Sequence, residues 1–186
     1  TLIKESIVSC ELEPGQFIAQ AELAEKHGLG ITPVREALRR LAQEGFLRAL
    51  PRIGYEVSPV TPRDVQEIFE MRLALEVASA RLAAARAGEG ALEQLAQAAD
   101  FTYTFHNRRS YARFLAQNTR FHAQVAALSG NQRLAAQVAK LMDELTRVFH
   151  LGLDLRDSAE EMRRDHLALV EALKKRDPAL AEACIR

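Results

Sequence analysis

Apolar positions along this chain follow two rhythms. Up to about Val57 they recur in short helical stretches and then switch to strand-like alternation; beyond Pro62 they recur only at helical spacing. Residues 2–9 predict a short amphipathic helix, and Glu13-Pro14-Gly15 interrupts it. Residues 20–27 predict a second helix closed by Gly28. After the turn Leu29-Gly30-Ile31, Thr32 is expected as an N-cap with Pro33 at the first helical position. In the helix predicted over 32–43, Val34, Ala37, Leu38 and Leu41 fall on one face, and Thr32, Arg35, Glu36, Arg39, Arg40 and Gln43 on the other. Gly45 then stops the helix, 46–50 predicts a strand, 51–54 a tight turn, and 55–57 a returning strand. Helix, helix, short turn, helix and hairpin describe a winged helix-turn-helix.

Ser58-Pro59-Val60-Thr61-Pro62 separates the two halves, because Pro cannot continue a strand ladder and Thr61-Pro62 suits a helix start. Helices are predicted over 62–87, near 90–107, from Ser110 to about 128, from Asn131 to about 150, and from about Asp157 to Lys175. Asp177-Pro178 opens one more. The expected fold is mainly α: a winged helix-turn-helix over residues 1–60, then an all-α antiparallel bundle of six to seven helices over 61–186.

Polar residues interrupt the greasy stripes of the second half. Phe114, Phe121, Val125 and Leu128 define one stripe, with Asn118 and His122 at its edge, one turn apart. Met162, Leu169, Val170 and Leu173 define another, and His166 sits inside it. On the first long helix the expected stripe is Ile68, Met71, Leu75 and Ser79, with Arg72 within it beside Glu76. Burying such groups costs several kcal/mol unless each finds a partner, so they are expected to meet one another or a ligand. Each also has a plain reading, as a hydrogen-bonded core histidine or an ordinary helix-edge ion pair. Together, two imidazoles, an amide oxygen and a guanidinium suggest a pocket. The imidazoles suit zinc, nickel, copper or iron, and the oxygen keeps manganese possible. Open metal positions could take water or a carboxylate, whose other end Arg72 could clamp. His27, His106 and His150 are read as non-ligands.

Charge first argues against a nucleic-acid partner, since 25 Lys and Arg balance 25 Asp and Glu. The distribution reverses that, because residues 32–54 hold five Arg against two Glu, placing positive charge where a groove would be met. The candidate DNA-facing residues are Thr32, Arg35, Glu36, Arg39, Arg40, Arg48, Arg52 and Gly54. With 186 residues, 48% of them apolar, the chain can build two small cores. No apolar run is long enough to span a membrane, no secretory pattern opens the chain, and Cys10 and Cys184 offer no disulfide framework, so a cytoplasmic protein is expected. No Gly-rich phosphate loop, Ser/His/Asp set or flanking carboxylate pair appears, so no enzyme is expected.

Residues 20–41, QAELAEKHGLGITPVREALRRL, resemble the helix-turn-helix signature of the GntR transcription-factor superfamily, and EGFLRALPRIGYEV is similar to its wing. EIFEMRLALEVASARLAA, NTRFHAQVAALSGNQRL and HLALVEALKKRDPALAEA resemble the helical FCD effector domain of the FadR branch. The resemblance implies a homodimeric regulator, commonly a repressor, bound to a palindromic operator and modulated by a small organic acid. It also implies DNA contacts from Thr32, Arg35, Arg39 and the Arg52–Gly54 wing tip. Asn118, His122 and His166 match the first three members of the family's metal set, for zinc foremost and nickel, manganese or iron besides; Arg72 matches its carboxylate clamp. Gly30-Ile31 stands where the family often has Ser-Arg, removing one DNA-contacting Arg. Ala19 replaces a usual Ser or Thr cap, and Asn118 an Asp. A fourth His would fall about two residues past Arg186, so the sequence is expected to stop short of the natural C-terminus. Two other readings stand beside this one: a structural or vestigial metal site, and a helical metalloenzyme fused to a DNA-binding module.

Overall fold

The computed structural model describes residues 2–153 and 155–186. The chain divides into two compact units, Thr1–Pro62 and Arg63–Arg186.

In the first unit, α1 (Leu2–Val8), α2 (Gln20–His27) and α3 (Ile31–Gln43) surround a core of Ile3, Ile7, Leu23, Val34, Leu38 and Leu41. Gly28 ends α2 in the left-handed conformation, at φ 62°, and the amides of Gly28 and Leu29 close its last carbonyls at Glu25 and Ala24. Helix α3 begins two residues earlier than the sequence suggests. Gly30 occupies the cap position with no side-chain capping bond, so Thr32 lies inside the first turn and Pro33 follows it. Proline is harmless there, because the first four amides of a helix have no partner within it.

Three strands complete this unit: β1 (Phe17–Ile18), β2 (Leu47–Leu50) and β3 (Gly54–Val57), antiparallel in the order β1-β3-β2. The hairpin β2–β3 pairs Leu47 with Val57 and Leu50 with Gly54. Strand β1 is an addition to the expected elements. Two residues are too few for an alternating pattern to register, and Phe17–Ile18 find their partners only at Tyr55–Glu56.

The second unit is built of α4 (Pro62–Arg86), α5 (Glu89–Gln97), α6 (Arg108–Leu128), α7 (Gln132–Gly152), α8 (Ala159–Lys174) and α9 (Pro178–Ile185). Asn107, Asn131 and Asp177 cap α6, α7 and α9 by accepting bonds from backbone amides in the first turn. One core gathers Leu95, Phe114, Leu115, Phe121, Leu169 and Leu173; another gathers Val138, Leu141, Met142 and Leu145.

Two expectations are corrected here. The helix foreseen near 90–107 ends at Gln97. Residues 101–104 run without helical structure, with Phe101 and Tyr103 buried and Thr102 and Thr104 exposed, so the segment drives two aromatics into the core at strand-like spacing. Two threonines and a tyrosine are poor helix formers, and burial of the rings decides the outcome. On α4, Met71 is 53% exposed and lies off the buried stripe, which instead runs through Glu76, Ser79, Ala80, Ala83 and Ala84. Met71 lies about 140° around the helix from Glu76, whereas Arg72 lies about 40° from it, at 3.6 residues per turn.

At Gly54 (φ 132°) an added Cβ would meet the backbone carbonyl oxygen of Ile18 at 2.7 Å. Gly54→Ala should therefore cost the first unit about 1–3 kcal/mol and loosen the β1–β3 pairing. Hydrogen exchange at the amides of β3, compared with those of α6, measures this.

Candidate DNA interface and metal-carboxylate pocket

The α3 face away from the core carries Thr32, Arg35, Glu36, Arg39 and Arg40, all exposed. Their exposure follows from the helical spacing of Val34, Leu38 and Leu41, which fixes the opposite face inward. Arg35 donates through Nε to Gln20 Oε1 at 3.3 Å, bracing it against the start of α2. Arg40 pairs with Glu44 at 3.0 Å, and Lys4 shares the same carboxylate at 3.0 Å, holding it below the ordinary Glu range. Arg39, Arg48 and Arg52 make no ion pair among the described residues and are exposed. Arg52, at φ 67°, and Gly54 shape the hairpin turn. The result is a row of guanidiniums along one helix beside a projecting hairpin, the arrangement by which a winged helix-turn-helix meets a groove and its phosphates.

In the second unit, α6 and α8 bring Asn118 (2% exposed), His122 (6%) and His166 (5%) into one buried site. Asn118 and His122 share a face because they stand one helical turn apart. His166 Nε2 lies 3.0 Å from Asn118 Oδ1, and the two imidazole centroids are 5.5 Å apart. Phe101 lies against the His166 ring at 4.6 Å and Phe121 at 4.7 Å. That aromatic surround, above all through burial, and then the charges of His122 and Arg72, pushes His166 down to about 3. Its ring is therefore neutral at physiological pH, the form in which imidazole binds metals. His166 Nδ1 is buried without a hydrogen-bond partner among the described residues.

Glu76, only 3% exposed, comes from α4. Arg72 donates through Nε to its Oε2 at 3.1 Å, while His122 Nδ1 approaches its Oε1 at 3.1 Å. Burial works to raise this carboxyl, but His122 and then Arg72 hold it below the ordinary value. Arg72, Asn118, His122 and His166 line one cavity of about 320 Å³, together with Phe69, Met162, Arg156 and Asp165.

Among the described residues, no group of three or more His, Cys, Asp or Glu is placed so that it could by itself hold a metal ion. The donors are two imidazoles and an amide oxygen. His166 Nε2 and Asn118 Oδ1, 3.0 Å apart, are hydrogen-bonded to each other, and imidazole nitrogen with an amide oxygen is a donor chemistry that divalent transition metals accept.

The structure thus brings together the four residues expected at a metal and carboxylate site. Sequence reasoning missed the burial of Glu76 and the aromatic wedge of Phe101. The signal for Glu76 was present, since Ser79, Ala80 and Ala83 follow it at helical spacing and mark its face as the packed one.

The gntR family of bacterial regulatory proteins matches residues 1–57, and the FCD domain matches residues 67–186. A probable D-xylose utilization operon transcriptional repressor of Paenarthrobacter nicotinovorans is 31% identical, over 95% of this chain and 77% of that protein. The uncharacterized HTH-type transcriptional regulator YdhC of Bacillus subtilis is 29% identical over 97% and 81%, and the HTH-type transcriptional repressor RspR of Escherichia coli 27% over 95% and 77%. Among solved structures, E. coli McbR/YncC superposes with a TM-score of 0.77 at 23% identity, over 97% of this chain and 86% of that one.

Asn118→Ala strips His166 Nε2 of its buried partner. A destabilisation of about 1–3 kcal/mol is expected, measured by urea denaturation in the presence of a chelator.

Proposed function

We propose, because this chain belongs to the GntR family of bacterial regulatory proteins and carries an FCD domain, that it is a homodimeric repressor whose grip on a palindromic operator is set by a small carboxylate at a metal-bearing pocket. That it is a DNA-binding transcriptional regulator follows from the family itself. The finer parts of the reading rest on side chains. No helix among the described residues is long and apolar enough to cross a membrane.

The observation that carries the DNA assignment is the exposed row on α3. Thr32 lies in the first turn, the end of a recognition helix that approaches base edges, and Arg35 and Arg39 follow one turn apart on the same face. Each guanidinium can donate two parallel bonds to guanine O6 and N7. Arg48 and Arg52 on the hairpin supply phosphate contacts that fix register without reading sequence. Glu36 tunes that face by repelling phosphate. Zero net charge on the chain means that non-specific affinity is low, and two copies double the local positive footprint.

The pocket assignment rests on the convergence of Arg72 with Asn118, His122 and His166 around one cavity. Those last three residues would hold a divalent ion, zinc foremost and nickel, manganese or iron besides, which supplies Lewis acidity toward an anionic ligand. Arg72 already spends its Nε on Glu76, leaving its terminal nitrogens to a carboxylate. Phe69, Met142, Leu145 and Phe149 give the cavity an apolar side, suited to the carbon skeleton of a small acid. The carboxylate Glu76 is engaged from two sides, which leaves it no role as a general base and favours sensing over turnover. Coupling to DNA runs through α4, which carries Arg72 and starts soon after β3 ends at Val57. An effector that prefers one state of the dimer by about 1–3 kcal/mol changes operator affinity by about 5- to 150-fold.

Two measurements test this. Arg39→Ala should weaken operator binding by about 5- to 150-fold at fixed salt, while leaving the thermal melting of the protein unchanged; unaltered affinity removes Arg39 from the interface. In a thermal-shift screen of mono-, di- and sugar acids on Zn²⁺-loaded protein, at least one acid should raise the melting temperature and alter operator affinity. Arg72→Ala should abolish both responses.

A further inference from the structure

Glu76 is buried behind this cavity, against two residues that line it, Arg72 and His122, and its two oxygens face different tasks. Oε2 accepts the Arg72 Nε–H at 3.1 Å. Oε1 is buried with no aligned hydrogen-bond partner among the described residues, and the ring nitrogen Nδ1 of His122 stands 3.1 Å away. An ionised oxygen in that position demands a donor, since leaving it unanswered forfeits a charge-assisted bond and keeps the whole desolvation penalty. A neutral imidazole carries one N–H on either of its two nitrogens, and its neighbours decide which.

We propose that Glu76 is a positioning residue that fixes the tautomer of His122. It draws the proton to Nδ1 and leaves the lone pair on Nε2 for a metal ion. The carboxylate acts on the ring without touching the ion, and it holds the Arg72 guanidinium with its other oxygen. One buried side chain thereby orients both the metal-binding imidazole and the carboxylate clamp. Neighbouring residues lock the arrangement: Glu76 shares its helix face with Ser79, which is itself held by a bond to the Leu75 carbonyl at 2.8 Å, and Phe121 packs edge-on to the His122 ring at 5.4 Å. This inference rests on the metal-site reading of His122, but its first readout does not.

The discriminating substitution is Glu76→Gln. Arg72 Nε–H still requires an acceptor, so the amide oxygen turns to Arg72 and the amide NH₂ faces His122 Nδ1. A donor at that position reverses the demand on the ring, and the proton moves to Nε2. In metal-free protein labelled with ¹⁵N-histidine, the protonated and unprotonated ring nitrogens resonate far apart and report the tautomer directly. Wild type should show His122 protonated at Nδ1, and E76Q should show it protonated at Nε2. Zn²⁺ affinity, from competition with a chromophoric chelator, should fall by about 10- to 100-fold in E76Q. Wild-type His122 protonated at Nε2 overturns the proposal, as does E76Q that keeps the wild-type tautomer and Zn²⁺ affinity. Should E76Q fail to fold, the wild-type spectrum alone still decides. Wild type that shows the expected tautomer yet binds no Zn²⁺ sinks the metal reading and leaves the positioning role of Glu76 standing.

Discussion

A carboxylate buried in a helical bundle has to be answered from every side on which water is missing, and around Glu76 that requirement organises the second unit. The residue is 3% exposed, and Arg72 and His122 meet its two oxygens. Removing either partner would leave an uncompensated charge among apolar helices, a penalty of several kcal/mol. The same requirement draws α4 and α6 to one point, since Arg72 and Glu76 come from one and His122 from the other. Across the cavity, α8 delivers His166, whose ring is clamped by Phe101 and Phe121. The cavity in front of Glu76 therefore has the Arg72 guanidinium, two imidazoles and a greasy flank in its lining.

The first unit solves a different problem. Its core is small, so one face of α3 is enough to hold the helix, and the other face is free for charge. Residues 32–54 hold a local excess of positive charge, five Arg against two Glu, on a chain that carries none in net. In the proposed role such a layout would favour discrimination over indiscriminate adhesion, because the arginines that would read bases sit beside those that would hold phosphate.

Much of this was legible in the sequence, and the failures have physical causes. Helical spacing of Val34, Leu38 and Leu41 located the inner face of α3, and with it the outward arginines. Asn118 and His122 one turn apart, with His166 inside another stripe, gave the pocket. What escaped was governed by contacts distant along the chain. Strand β1 exists because Tyr55 and Glu56 offer an edge to Phe17 and Ile18. The helix after Gln97 was foreseen too long because hydrophobic content there supports either spacing, and only burial of Phe101 and Tyr103 selects the extended one. The exposure of Met71 shows the converse: a long apolar side chain suits a stripe on paper, while the helix is rotated to bury an acid and a line of alanines. The start of α3 was displaced because Thr-Pro mimics a helix opening, whereas Gly30 takes the cap position.

The contact between Gln20 and Arg35 has a kinetic consequence. A long cationic side chain in open water wanders among many rotamers, and freezing it on arrival at a ligand costs about 0.5–1.5 kcal/mol. Gln20, at 3.3 Å, restrains Arg35 by a bond weak enough to be surrendered. The guanidinium thus waits half-arrested, with less disorder left to lose at the moment of capture. Discrimination at that position would accordingly be expressed in how long a complex survives rather than in how often one forms.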